Sequence, residues 1–133
     1  MTTPSIVEFE ARSYELDPYR HLNNGVYINW LEQSRLVYLR DRGLTYDSIP
    51  ELFGVLVMVV QQGIAYKAQV RLGDRLRCRS RILRFGNSSF TFEQVVEFLD
   101  GRQAAFATVT MVCVGEDGKS APMPAELRRR LES

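Results

Sequence analysis

The sequence predicts an α+β fold, one long helix set against an antiparallel sheet. Three observations carry that expectation. A single stretch, Asn24 to Arg42, places apolar residues at three- and four-residue steps, the period of a helix with one buried face. From Val55 onward the chain alternates or runs apolar in strand-length segments parted by turn signals. One alternating segment stands before the helix, so the order is strand, helix, then several strands.

In chain order, Ile6 to Ser13 sets Val7, Phe9 and Ala11 against Glu8, Glu10 and Arg12, a strand with one wet face. Asp17-Pro18 ends it, because proline lacks an N–H and restricts the residue before it. A polar loop then runs to Asn23 or Asn24, either of which can cap a helix. Within the helix, Tyr27, Trp30, Leu31, Ser34, Val37 and Tyr38 form the apolar stripe. Arg40 and Arg42 suit the negative end of its dipole, and Gly43 is placed to end it. The helix length, about 28 Å at the α-helical rise, matches a wide sheet.

Leu44 to Phe53 reads as a connector with one helical turn before Pro50. Val55 to Gln62 is almost wholly apolar and is expected to be a central strand covered on both faces. Ile64 to Val70 is a further strand, with Gly63 as a bulge before it. After the Gly73-Asp74 turn, Leu76, Cys78, Ser80 and Ile82 alternate with Arg75, Arg77, Arg79 and Arg81. Gly86-Asn87 and Asp100-Gly101 are hairpin signals. Between them, Ser89 to Leu99 puts Phe90, Phe92, Gln94, Val96 and Phe98 on one face. Gln103 to Val114 is the last long strand, and Ala125 to Leu131 is a terminal helical turn.

The 133 residues suit one domain, and the hydrophobic and charged fractions of 45% and 25% are those of an ordinary soluble protein. A net charge of +1 argues against a general nucleic-acid binder. The basic residues are lopsided, 15 Arg against two Lys, and they crowd between Arg71 and Arg84. Cys78 and Cys113 lie in apolar-patterned segments without metal-ligand spacing, so buried, reduced thiols in a cytoplasmic protein are expected. No signal-peptide pattern opens the chain. The longest apolar run, Val55 to Val60, is far too short to span a bilayer, and no membrane insertion is expected.

The chemistry concentrates in the polar loop. Asp17 stands four residues before His21, the only histidine, and Asn23 and Asn24 follow at the helix N-terminus. That end presents unpaired N–H groups and a partial positive charge, which favour a developing oxyanion. A carboxylate beside such donors suits attack on a carbonyl. Thioesters are the favourable case, because a thiolate leaves without a strong general acid. The same residue types also make ordinary turns and caps.

The run Asp17-Pro-Tyr-Arg-His21-Leu-Asn23-Asn24-Gly-Val-Tyr27, followed by Trp30-Leu-Glu32 and Arg35, resembles the signature of hotdog-fold acyl-CoA thioesterases. The 4-hydroxybenzoyl-CoA thioesterase type is the nearest subgroup. Tyr66-Lys67 before Gly73-Asp74, and Gly86-Asn-Ser-Ser-Phe90, resemble the same family, and the similarity spans about residues 5 to 115. The resemblance implies a long central helix wrapped by an antiparallel sheet of five to six strands. It implies subunits that pair their sheets edge to edge into a homodimer or homotetramer, with active sites at the interface. By the same resemblance Asp17 is the catalytic carboxylate, attacking the thioester carbonyl or activating a water, and the backbone N–H near Asn24 is the oxyanion donor. His21 and Asn23 shape the site. Neither metal nor redox cofactor is implied, CoA being part of the substrate. Two positions depart from the family: Arg20 replaces the usual glycine before His21, and Ala68 stands where proline often follows Tyr66-Lys67.

Other features have two readings each. The arginine row from Arg75 to Arg81 reads first as the solvated face of a strand and second as a receiver for phosphates. Arg84, Ser88 and Ser89, at a turn, fit phosphate binding better, and Lys67 is a further substrate-binding candidate. Tyr27, Trp30 and Tyr38 read as core first and, in a hotdog dimer, as partly acyl-pocket lining second, with Tyr27 the substrate-binding candidate. Glu32 reads as exposed or salt-bridged rather than as a second catalytic carboxylate, and Gln61 and Gln62 as residues that reach a partner's site. The function expected is hydrolysis of an acyl-CoA thioester to acid and CoA. The alternatives are an acyl-carrier-protein thioesterase, a hotdog enoyl-thioester hydratase or dehydratase, and a non-catalytic acyl-binding module. The hydratase motif, Asp-x-Asn-Pro-x-His, is not matched.

Overall fold

The computed structural model describes residues 2–133. Strand β1 (Ser5–Glu10) leads through a short 3-10 turn (Ser13–Glu15) and the polar loop into helix α1 (Asn24–Asp41). A six-residue helix α2 (Ser48–Phe53) precedes β2 (Leu56–Tyr66), β3 (Arg75–Phe85), β4 (Ser89–Phe98) and β5 (Gln103–Val114), and α3 (Ala125–Glu132) closes the chain. The five strands form one sheet in the order β1-β3-β4-β5-β2, antiparallel throughout.

Helix α1 begins where Asn23 turns its side-chain oxygen onto the Gly25 N–H at 2.8 Å. It ends at Gly43, whose φ of 72° is the left-handed value that glycine reaches without steric cost. Its buried face comprises Tyr27, Trp30, Leu31, Ser34, Arg35, Tyr38 and Leu39 and packs against β1 and β3. Two apolar clusters result. One gathers Tyr38, Leu39, Ile82, Phe92 and Val109 with Leu127 and Leu131 of α3. The other gathers Tyr27, Trp30, Leu31, Cys78, Val96 and Phe98 with Leu22 of the polar loop.

A polar chain runs between the two clusters. The Gln94 amide donates to the Leu31 carbonyl and to the Ser80 hydroxyl, both at 2.9 Å, and its oxygen accepts from Arg35 Nη1 at 3.0 Å. Arg35, Ser80 and Gln94 are all buried. Each stands between members of the two apolar clusters along its own element, so the network joins helix to sheet in mid-core.

Several expectations change. The Val55-to-Gln62 run is not a central strand: β2 is outermost, and Leu56, Met58, Val59 and Val60 are exposed. Apolar composition marks a strand that becomes covered, whether by its own chain or by another, and periodicity does not separate the two. Strand β2 also continues unbroken through Gly63, which pairs with Thr108. The bulge falls at Val60, between Val59 and Gln61. The connector contains a full short helix that includes Pro50 in its first turn, where the missing N–H is not needed. The first strand stops at Glu10, and the terminal helical turn is the eight-residue α3.

The arginine row is largely satisfied across the strand pair. Arg77 and Arg79 engage Glu97, and Arg81 meets Glu93 at 2.8 Å, so these cations pair on the outer face of the sheet. Cys78 and Cys113 are buried and unpaired. Burial raises both thiols above their ordinary range, Cys113 to about 11. No helix among the described residues is long and apolar enough to cross a membrane.

Candidate active site

The polar loop is a closed turn built on Asp17. A bridge between Leu16 and Leu22 pins its base, and the Asp17 N–H donates to the His21 carbonyl at 2.8 Å. The Asp17 side chain folds back over the turn, with Oδ1 accepting from the backbone N–H of Tyr19 at 2.9 Å and of His21 at 3.1 Å. Among the described residues no donor engages Oδ2. One carboxylate oxygen thus fixes the geometry and the other is open to chemistry.

Arg20 adopts a φ of 64°, the only left-handed non-glycine residue among those described. An L side chain there costs on the order of 1 kcal/mol, a cost that glycine would not carry. Arg20→Gly is therefore expected to raise stability by about 0.5–1 kcal/mol, read as a higher urea midpoint at unchanged m-value. A lower midpoint would show that the side chain stabilises the turn more than its backbone strains it.

The loop is held against the sheet by long-range bonds. The Leu22 N–H donates to the Val70 carbonyl at 2.8 Å and the Asn23 N–H to the Glu15 carbonyl at 2.9 Å. These contacts create a cleft of about 180 Å³ whose walls include Asp17, His21, Asn24, Tyr27, Tyr66 and Val70. Four of the expected site residues, Asp17, His21, Asn24 and Tyr27, therefore meet. Tyr66, at the end of β2, joins them, a residue not expected at the site. The Tyr27 and Tyr66 rings meet edge-on at 5.2 Å between centroids. Burial, with a smaller contribution from Tyr66, pushes the Tyr27 phenol up to about 12. Behind them Trp30 stacks on Phe9 at 4.8 Å and donates its indole N–H to Glu15 at 3.3 Å, fixing the base of the loop.

The first turn of α1 supplies the donor. Asn23 takes the Gly25 N–H with its side chain and the Val26 N–H with its carbonyl. Among the described residues no acceptor takes the Asn24 N–H, and Asn24 lines the cleft. The Asn23 side chain is thus committed to the cap. Lys67 is exposed, with its backbone N–H bonded to Ala104, and Tyr66 occupies the wall in its place.

Arg84, Ser88 and Ser89 are not brought to this cleft within one chain. Asp17 lies near the start of β3, beside Val70, whereas those three residues lie at its far end, roughly 33 Å along an 11-residue strand. The hairpin there is tied instead to the C-terminal part of the chain, where Asn87 accepts from the Met123 N–H and Gly86 from Arg128. Nearer the cleft, His21 also borders a larger cavity of about 350 Å³ whose wall carries Arg20 and Arg71. Among the described residues no three side chains of His, Cys, Asp or Glu come together to hold a metal ion.

A model of the thioesterase-like superfamily matches residues 11–131. The chain is 30% identical over 129 residues to the long-chain acyl-CoA thioesterase FadM of Escherichia coli, covering 94% of this chain and 95% of that protein. It is 25% identical over 126 residues to a chloroplastic acyl-acyl carrier protein thioesterase of Arabidopsis thaliana, covering 93% of this chain and 65% of the relative. A solved 1,4-dihydroxy-2-naphthoyl-CoA thioesterase from Synechocystis superposes with a TM-score of 0.87 at 17% identity, covering 96% of this chain and 95% of that one. At that identity the likeness speaks for the hotdog fold alone.

Proposed function

The chain belongs to the thioesterase-like superfamily, and from that premise we propose that it hydrolyses acyl-CoA thioesters at the Asp17 cleft. The observation that carries the reading is the pairing of an open Asp17 Oδ2 with an Asn24 N–H that no protein acceptor takes, on the walls of one cleft. The thioester carbonyl sits with its oxygen toward that N–H, where the helix end favours the negative charge of the tetrahedral intermediate. Asp17 either attacks the carbonyl carbon or removes a proton from the attacking water. In the first route the tetrahedral adduct expels CoA thiolate and leaves an acyl-aspartyl anhydride, which water hydrolyses to the acid and free Asp17. In the second, water adds directly and the thiolate departs. His21, at the boundary of the two cavities, shapes the thioester's surroundings.

The thiol carrier approaches over the larger cavity, where Arg20 and Arg71 suit a phosphate-bearing arm. CoA and acyl carrier protein both present such an arm. Arg84, Ser88 and Ser89 reach it only from another subunit. The working unit is a cytoplasmic homodimer or homotetramer, paired along β2. That edge is long, exposed and apolar, and an unprotected edge of this kind calls for a strand of another subunit.

The test is release of free thiol from a panel of aromatic, short-chain and long-chain acyl-CoAs, followed by the same acyl groups on acyl carrier protein. Turnover of at least one acyl-CoA is expected. Binding without thiol release across the panel would favour an acyl-binding module, and hydration of crotonyl-CoA would favour a hydratase.

A further inference from the structure

Arg35 is 3% exposed, yet among the described residues no carboxylate lies within ion-pair distance of it. One nitrogen of its guanidinium donates to Gln94 at 3.0 Å, and Nε has no partner. A guanidinium keeps its charge in proteins, so burial leaves a cation with an unused donor. Arg35 borders a cavity of about 280 Å³ whose other walls are Glu32, Tyr46, Val57, Val59 and Met111.

This cavity lies along the same two elements as the Asp17 cleft. On α1, Asn24 and Tyr27 line the cleft, and Glu32 and Arg35 line the cavity, on one side of the helix. On β2, Tyr66 lines the first, and Val59 and Val57 the second. Eleven helical steps separate Asn24 from Arg35, about 16 Å along the axis. That spacing suits an acyl chain of medium length laid along α1 from the oxyanion donor to Arg35.

We infer that Arg35 and Glu32 form a polar terminal subsite that selects acyl chains carrying a hydroxyl remote from the thioester. The inference rests on the reading that acyl thioesters occupy the Asp17 cleft. A hydroxyl oxygen accepts from the Arg35 guanidinium where it borders the cavity, while its proton is donated to the Glu32 carboxylate. A methyl terminus does neither and leaves that edge of the guanidinium without an acceptor. A terminal carboxylate meets Glu32 as a like charge.

The experiment compares dodecanoyl-CoA with ω-hydroxydodecanoyl-CoA. For the intact protein kcat/KM is expected to favour the hydroxylated chain by at least about tenfold, since a site built to bond a hydroxyl discriminates against its absence. In Glu32→Ala, a change at an exposed position, the ratio falls toward one. A ratio of one or less in the intact protein, or a ratio untouched by Glu32→Ala, overturns the inference. Affinities of the same two thioesters for Asp17→Asn, measured by calorimetry, give a readout that does not depend on turnover. At least tenfold tighter binding of the hydroxylated chain is expected there, and equal affinities or no binding of either overturn the subsite. Should both bind with that preference while the intact protein hydrolyses neither, the hydrolysis reading fails and the subsite stands.

Discussion

Asp17→Asn is expected to lower kcat for acyl-CoA hydrolysis by roughly 10³-fold, within the range set by loss of a positioned base or nucleophile. The fold should survive. Asparagine keeps a side-chain oxygen where Asp17 Oδ1 accepts from Tyr19 and His21, so the turn loses no hydrogen bond. What disappears is the second carboxylate oxygen, the one that no protein donor engages. Thermal unfolding should therefore shift by no more than about 2 °C, well under 1 kcal/mol for a chain of this size. Asp17→Ala removes both functions and should lose about 1 kcal/mol of stability as well. Turnover within tenfold of the parent in Asp17→Asn would refute the assignment, and the Michaelis constant should change far less than kcat.

Met58→Lys combined with Val60→Lys is expected to split the proposed β2-paired oligomer and remove most activity. Both residues lie on the outermost strand, 52% and 59% exposed, and an apolar edge without charge is the form that pairs with a second copy. Across a two-fold axis each new lysine appears twice, and two repeated like charges should weaken pairing by about 3 kcal/mol, or roughly 100-fold in dissociation constant. Because these side chains are already exposed, the fold of the single chain should change little. Sedimentation should show a monomer with unaltered circular dichroism, and on the proposed pairing along β2 turnover should fall at least about tenfold. An unchanged mass, or a fully active monomer, would place the subunit contact elsewhere.

Much of the fold was legible in the sequence because it depends on neighbours a few residues apart. The three- and four-residue spacing of Tyr27, Trp30, Leu31 and Tyr38 sets the buried face of α1, and Asn23 and Gly43 mark its ends. The alternation of Leu76, Cys78, Ser80 and Ile82 with arginines, and of Phe90, Phe92, Gln94 and Val96 with their neighbours, assigns the faces of β3 and β4. The same local logic led to Asp17 and Asn24. Arg35 was harder to read: an arginine in a helix is ordinarily solvated, and only its approach to Gln94, fifty-nine residues away, buries it.

By itself, then, the sequence determined helix α1 and its buried face, the faces of β3 and β4, and the resemblance that singles out the Asp17 loop. Tertiary structure decided the rest. It placed β2 at the edge, brought Tyr66 and Val70 beneath the loop, left Arg84 at the far end of the sheet and enclosed Arg35 without a counter-charge. Periodicity follows from backbone geometry over a few residues, whereas strand order and burial depend on pairings between distant segments that no local pattern encodes.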